Sequence, residues 1–461
     1  MANEFYKKIN LLNPKWIIVL TLISITWVNF NITRWQKGNI ITFDVISYYS
    51  YLPAVFYEQD LSLSFLDDTI NKKTEDRYYW PNKDANGNKI IKVSMGMAIT
   101  YLPFFGAAHV YCKLLNVEAN GFSDPYHFAI QFSSLFYFII GLLFLLRILK
   151  IFYDNEVVFI TSLAIIFGTN IIYYLTNGSG MAHPVDFALI AAFIYYTIKW
   201  HNTQTFKLSV TIGFLIGFIT LVRPINIVVF LTILFYDVNS INDLNKKIKL
   251  LFKAYKHIFI ISICGMLVFI PQLIYWKWVS GNFFINSYVG ERFYFNNPHI
   301  IDWLFSFRKG WLIYSPIMIF SLIGFYYLRK DNKPFFTSFL VFTLIYFYLV
   351  FSWWCWWYGG SFGQRALIDI YPILAIPIAA FVANLKSTAG IKKKVVYVIL
   401  FLLILLNIFQ TMQAKWNTIH FDSMTKEAYI EAFFRLTKNP EREKFLKHPD
   451  YDKARQGIDE Y

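Results

Sequence analysis

SMGMAITYLPFFGAAHVYCKLL, residues Ser94–Leu115, is the stretch on which the topology of this chain turns. It is long enough to cross a bilayer, because about 20 residues at about 1.5 Å each span the hydrocarbon layer. It also carries Pro103, His109 and Lys113. Whether it crosses sets the side on which every later loop lies, and the charges of those loops supply the answer. With the block not crossing, segments 1–15, 147–156, 199–207, 237–257, 329–334 and 386–394 share one side and hold 19 Lys and Arg. The short loops of the other side then hold five: Arg223, Arg292, Arg308, Lys309 and Arg365. With the block crossing, 16 of the 19 change sides. Cationic short loops stay cytoplasmic, so residues 94–115 are expected to lie along the outer interface or dip into it.

Outward from this block, apolar runs at 16–33, 127–146, 157–176, 257–279, 311–328, 335–351, 367–384 and 395–412 read as membrane spans, with shorter ones at 184–198, 208–222 and 225–236. The expected fold is an all-α polytopic membrane protein of about eleven transmembrane helices, with a cytoplasmic amino terminus and an external carboxyl terminus. The first span follows Lys7, Lys8 and Lys15 without a small-residue cleavage site and reads as a retained anchor. Residues 1–412 form one transmembrane domain. Its long external loop 34–126 carries juxtamembrane helices, and a second external loop covers 280–310. Residues 413–461 form a short charged external tail, in which 423–438 predicts a helix capped by Ser423.

Composition sets the class. The 461 residues are 56% hydrophobic and 16% charged, against about 25% charged in soluble domains, which excludes an ordinary soluble enzyme. The 43 Lys and Arg exceed the 29 Asp and Glu to give a net charge of +14. They sit in clusters between apolar blocks rather than on one polar face, so the excess reads as topology and nucleic acid is not the partner. Cys112, Cys264 and Cys355 lie far apart in or beside apolar blocks, form no CxxC pattern and read as packing residues. No Walker motif or dinucleotide fingerprint is present, so a soluble nucleotide is not the expected energy source.

The ionisable residues that are expensive near membrane depth, Asp44, Lys92, His183, Arg223, Glu291, Arg292, Arg308 and Arg365, all fall at or near the external side. Two stretches stand out. In FDVISYYSYLP (43–53), Asp44 reads either as the N-cap of a helix from Val45 or as a general base at the interface. In WWCWWYGGSFGQR (353–365), the tryptophans alone fit an interfacial belt. Three glycines beside Ser361, Gln364 and Arg365 instead make a loop whose backbone can approach a ligand. Arg308 and Lys309 read as interface anchors or phosphate ligands, and Arg223 and Asn226 as a pair within the bundle or a part of the site. Glu291 and Arg292 read as a solvated pair or as part of an acceptor-side lid.

Asp44 in the first external loop, the long interfacial segment after it and the Trp-Tyr-Gly-Gly-Ser-Phe-Gly-Gln-Arg stretch before a late span together resemble the GT-C membrane glycosyltransferases. The likeness is to the branch containing protein O-mannosyltransferases and the bacterial aminoarabinose transferase of lipid A. It implies transfer of a sugar, with inversion, from a polyprenyl-phosphate donor to an acceptor hydroxyl on the external face of the plasma (inner) membrane. Asp44 is then the catalytic base and Lys92 a contact to the lipid-linked phosphate; because cations held at a departing phosphate lower the barrier, Arg308 and Arg365 join Lys92 as candidate lipid-phosphate ligands. Tyr48, His183, Glu291, Arg292, Tyr358 and Gln364 are the substrate-binding residues. His183 takes an acidic position of the family, with Asp186 one turn onward. The implied partners are the polyprenyl-phosphate-linked sugar, the bilayer and an acceptor that is a glycan, a lipid or a protein. A divalent metal is a candidate cofactor, although the acidic position that binds it in some relatives is Ile91 here. A transporter or lipid flippase is the alternative, and another lipid-linked glycan enzyme such as a ligase or polymerase is a second.

Overall fold

Apolar runs interrupted by proline, glycine and asparagine give a chain of helices of which few are long. The computed structural model describes residues 12–66, 73–74, 77–84, 86–331 and 333–458. Among these the fold is all-α, with strands confined to two small antiparallel ribbons. One of them pairs Pro81–Lys83 with Lys89–Ile91 in the register Pro81↔Ile91.

Four helices are long and apolar enough to cross a membrane: Lys15–Lys37, Asp124–Phe152, Arg365–Ser387 and Ile391–Lys415. A fifth is added if Ile241–Lys253 and Tyr255–Leu267, which meet at 74°, count as one. The eleven transmembrane helices expected, eight long and three shorter, are therefore not found among the described residues, because polar and proline residues break several of the runs. The run 157–176 stops at Phe167 and restarts as Ile171–Leu175 beyond Gly168, Thr169 and Asn170. Pro271 follows a break between Tyr255–Leu267 and Ile270–Ser280. Pro316 divides 311–328 into Trp311–Tyr314, a 3-10 turn and Ile319–Lys330. Pro224 opens a 3-10 stretch ahead of Leu231–Leu234. Phe206–Val222 and Phe336–Phe351 are continuous but short, and His183–Asn202 is long but polar at both ends.

Small residues set how closely these helices pack, as they do where apolar solvent supplies little drive for association. A methyl group at Gly324 would overlap the Pro377 carbonyl oxygen across the contact of Ile319–Lys330 with Tyr371–Ser387. Gly324→Ala is thus expected to lower thermal stability in detergent by about 1–3 kcal/mol, the usual range for overpacking. Gly106→Ala, with nothing within 4 Å of the new methyl, should leave the melting curve in place.

The cationic segments converge. Lys386 bridges Asp154 at 2.7 Å and Glu156 at 2.9 Å, and Phe152 packs edge-on to Phe335 at 4.6 Å. His201 stacks on Tyr236 at 4.4 Å, and the Asp237 N–H donates to the Pro334 carbonyl. Segments 147–156, 199–207, 237–257, 329–334 and 386–394 thus gather at one end of the bundle. The helices Phe206–Val222 and Arg365–Ser387 run from there to Arg223 and Arg365 at the other end.

Helix Gly96–Leu114 does not run to the cationic end. It lies antiparallel to the first half of Asp124–Phe152, through the Tyr137 hydroxyl on the Thr100 carbonyl (2.8 Å), the His109–Tyr126 contact (2.7 Å) and Cys112 beside Ser123 (3.8 Å). Its start is wedged against the Leu221 and Val222 backbone at Gly96, where a Cβ would come within 2.6 Å. This contact holds the segment after Lys92 beside Arg223. The tail folds back on the loops, burying Ile419, Met424, Ala428 and Ala432 with Tyr314 and Phe362. The helix expected over 423–438 is Lys426–Ala432, capped by Thr425 and not by Ser423. Ser423 is buried against Asp422 (2.6 Å) and His448 (2.8 Å), so its hydroxyl is taken.

Candidate active site

The six-residue helix Asp44–Tyr49 opens on Asp44, whose side chain caps nothing; the N-cap position is Phe43, with φ +48°. Freed from the backbone, the Asp44 carboxylate points to Arg365 and meets its guanidinium at 2.7 Å. Both line a cavity of about 630 Å³, together with Tyr48, Lys92, Arg223, Tyr288, Glu291, Arg292, Trp353 and Tyr358. Its apolar wall is Val93, Val222, Ile225, Ile227, Val228 and Leu349.

Each cation is held from behind or beside. Lys92 follows strand Lys89–Ile91, which is pinned where the Ile91 N–H donates to the Tyr275 hydroxyl at 3.0 Å. Its ammonium meets Glu291 at 2.5 Å and lies 5.1 Å from the Tyr288 ring centre. Glu291 also accepts from the Trp354 indole at 3.2 Å. Arg223 donates to Asp369 at 2.5 Å. The fully buried Asp369 also accepts from His183 (2.7 Å) and from the Asn226 amide (3.1 Å). Arg292 donates to the Tyr294 hydroxyl at 2.8 Å, and that hydroxyl donates to the Arg455 carbonyl at 2.5 Å. Four cations and two carboxylates therefore face one cavity with an apolar wall, an arrangement that favours an anionic, amphipathic ligand.

Burial alone would raise the Asp44 pKa, but the Arg365 charge and hydrogen bond, with Lys92 and His183 further off, outweigh it and leave the carboxyl below its ordinary range. Asp44 is thus an anion near neutral pH, and a weak base for as long as Arg365 holds it. Cys355, buried beside the cavity, is pushed up to about 12 chiefly by burial, which keeps the thiol protonated and unreactive.

Of the residues the sequence singled out, Asp44, Tyr48, Lys92, Glu291, Arg292, Tyr358 and Arg365 share this cavity. Arg308, Lys309, Gln364 and His183 do not line it. Arg308 is buried, lies 5.5 Å from the Trp357 ring and donates to the Lys447 carbonyl at 3.3 Å. The tail has folded over the place where a headgroup was expected, and Arg308 holds the tail. Lys309 beside it donates to the Ser361 and Phe421 carbonyls; burial, against the pull of Asp422, takes its pKa well below the ordinary value. Gln364 is buried and donates to the Trp356 carbonyl at 3.4 Å. His183 sits one layer behind the cavity, on Asp369. The tryptophans are not a belt: Trp354, Trp356 and Trp357 are buried. Trp353 and Trp354 pair with the 291–294 segment through a bridge to Phe293 and the Trp354 N–H on the Arg292 carbonyl.

Asp369 and Tyr288 are not among the residues the sequence singled out; of the two, Asp369 carries the larger consequence. Its signal was present, as a carboxylate inside the apolar run 367–384 needs a partner, but the partner is 146 positions away in Arg223. Asp186, also fully buried, has both carboxylate oxygens without a hydrogen bond among the described residues. For a metal the donors do not fit: among the described residues no three His, Cys, Asp or Glu stand where they can share an ion, and Ile91 beside Lys92 is apolar and buried. No family model matches the chain, and no curated protein matches it either.

Proposed function

We propose that the protein is an integral-membrane glycosyltransferase of GT-C type that moves one sugar from a polyprenyl-phosphate donor to an acceptor hydroxyl at the external face of the inner membrane. The observation that carries the reading is the Asp44 carboxylate set among Lys92, Arg223, Arg292 and Arg365 in a cavity with an apolar wall. In this reading the shorter apolar helices Asn155–Phe167, Phe206–Val222 and Phe336–Phe351 pack beside the four long ones within the bilayer. The gathering of the cationic segments at the end away from the cavity supports an external site.

The chemistry follows from the pairing. The donor phosphate competes for Arg365 and releases Asp44, whose pKa then rises as its cation is drawn away. Asp44 takes the proton of the acceptor hydroxyl while that oxygen bonds to the anomeric carbon from the face opposite the leaving group. The bond from anomeric carbon to phosphate oxygen breaks, and its electrons leave with the polyprenyl phosphate, which Lys92, Arg223 and Arg365 stabilise. The configuration inverts.

The test is purified protein in sealed liposomes given polyprenyl-phosphate donor labelled in the sugar, with membrane extract as the acceptor source. Labelled acceptor and free polyprenyl phosphate should appear together. Label that changes leaflet but stays on its lipid would overturn the reading in favour of a flippase. The pH profiles give a second check. Because Arg365 depresses the pKa of Asp44 in the free enzyme, kcat/KM should hold as pH falls through the ordinary carboxylate value of about 3.9. The acid limb of kcat, which reports the bound complex, should lie at higher pH.

A further inference from the structure

At the cationic end of the bundle, helix Ile241–Lys253, INDLNKKIKLLFK, stands apart from the catalytic reading and carries three different sides. Ser240 caps it, accepting from the Asp243 N–H and donating to the Asp243 carboxylate, so its register is fixed from the first turn. At about 100° per residue, Ile241, Ile248 and Phe252 fall on one stripe, and they are 79%, 43% and 76% exposed. Lys246, Lys249 and Lys253 fall on a neighbouring side and are exposed. The third side faces the protein: Lys247 is buried, 5.6 Å from the Tyr236 ring centre, and Leu251 packs on the core.

We propose that this helix lies in the membrane plane and binds an anionic lipid surface. The apolar stripe enters the boundary of the hydrocarbon, and Lys246, Lys249 and Lys253 meet negatively charged headgroups. Two features select a bilayer over a partner protein. The helix turns by 74° into the apolar helix Tyr255–Leu267, as an in-plane element feeding a span must. That helix also exposes Tyr255, Phe259 and Met266, the first only three residues after Phe252, so both helices call for the same apolar solvent. A basic side next to a shallow apolar stripe is the pattern of an interfacial helix, and each lysine near an anionic surface contributes about five-fold to partitioning.

The test uses the full chain in nanodiscs of phosphatidylcholine alone or with phosphatidylglycerol, and a nitroxide placed by Phe252→Cys or Lys249→Cys. Cys264→Ser removes the half-buried native thiol; Cys112 and Cys355 are buried. Relaxation by oxygen against a water-soluble nickel chelate reads depth. With phosphatidylglycerol, the label at 252 is expected in hydrocarbon and the label at 249 in water. In phosphatidylcholine alone, the label at 252 should shift several-fold toward the chelate. Lys246→Gln with Lys253→Gln should abolish the difference between the two lipids, while an unchanged melting curve shows that the bundle is intact. A label at 252 that is aqueous in both lipids would overturn the in-plane placement, and equal immersion in both would overturn the anionic preference. Sugar transfer is not the readout, so failure here is separate from failure of the transferase reading.

Discussion

Asp44→Asn is expected to lower sugar transfer by about 10²–10⁴-fold, the usual contribution of a positioned general base, with KM for the donor changed far less. The amide keeps the size of the carboxylate but can neither take a proton nor hold the Arg365 charge as Asp44 does at 2.7 Å. Two opposing effects follow, which a donor titration separates. Loss of the base lowers kcat. Loss of the competing carboxylate leaves Arg365 open to the donor phosphate, so donor binding should hold or tighten. Asp44→Glu should recover part of kcat. Undiminished turnover by Asp44→Asn would remove the base assignment, and lost donor binding with normal kcat would point to a structural role for the pair.

Asp369→Ala should be the most destabilising single change near the cavity, by about 3–5 kcal/mol, because breaking a buried ion pair from one side strands the other charge. Asp369 holds three groups at once: the Arg223 guanidinium, the His183 ring and the Asn226 amide. Without it Arg223 loses the carboxylate that aims it into the cavity, so activity should fall along with thermal stability in detergent. Asp369→Asn separates the two effects. An amide oxygen still accepts from Arg223 or His183, so the fold should be largely kept, while a weaker hold on Arg223 raises the donor KM. A variant at Asp369 that is stable and fully active would remove the positioning role.

The placement of most of the site is legible in the sequence, for a specific reason. In a chain this apolar, an ionisable residue near membrane depth must be paired or hydrated. Asp44, Lys92, Glu291, Arg292 and Arg365 stand out by that criterion alone, and they converge on one cavity. Arg308 meets the same criterion and fails it in space. Its burial comes from the tail, which crosses the loops and offers the Lys447 carbonyl; nothing local to Ser306–Gly310 announces that. The tryptophans of 353–357 likewise read as a belt by composition, and only their pairing with 291–294 shows them as the frame that carries Glu291 to Lys92.

That the chain is helical and apolar is written in its composition and runs. The same holds for the 16 of its 43 Lys and Arg that lie in five short internal segments between apolar runs, because hydropathy and loop charge are sums over neighbouring residues and need no long-range contact. Which helices are unbroken depends on packing, since a proline or asparagine in an apolar run is tolerated or not according to what lies beside it. The same holds for the pairs that define the cavity. Asp44 with Arg365, Lys92 with Glu291 and Arg223 with Asp369 each join residues more than a hundred positions apart, and a partner at that separation is chosen by packing, not by pattern.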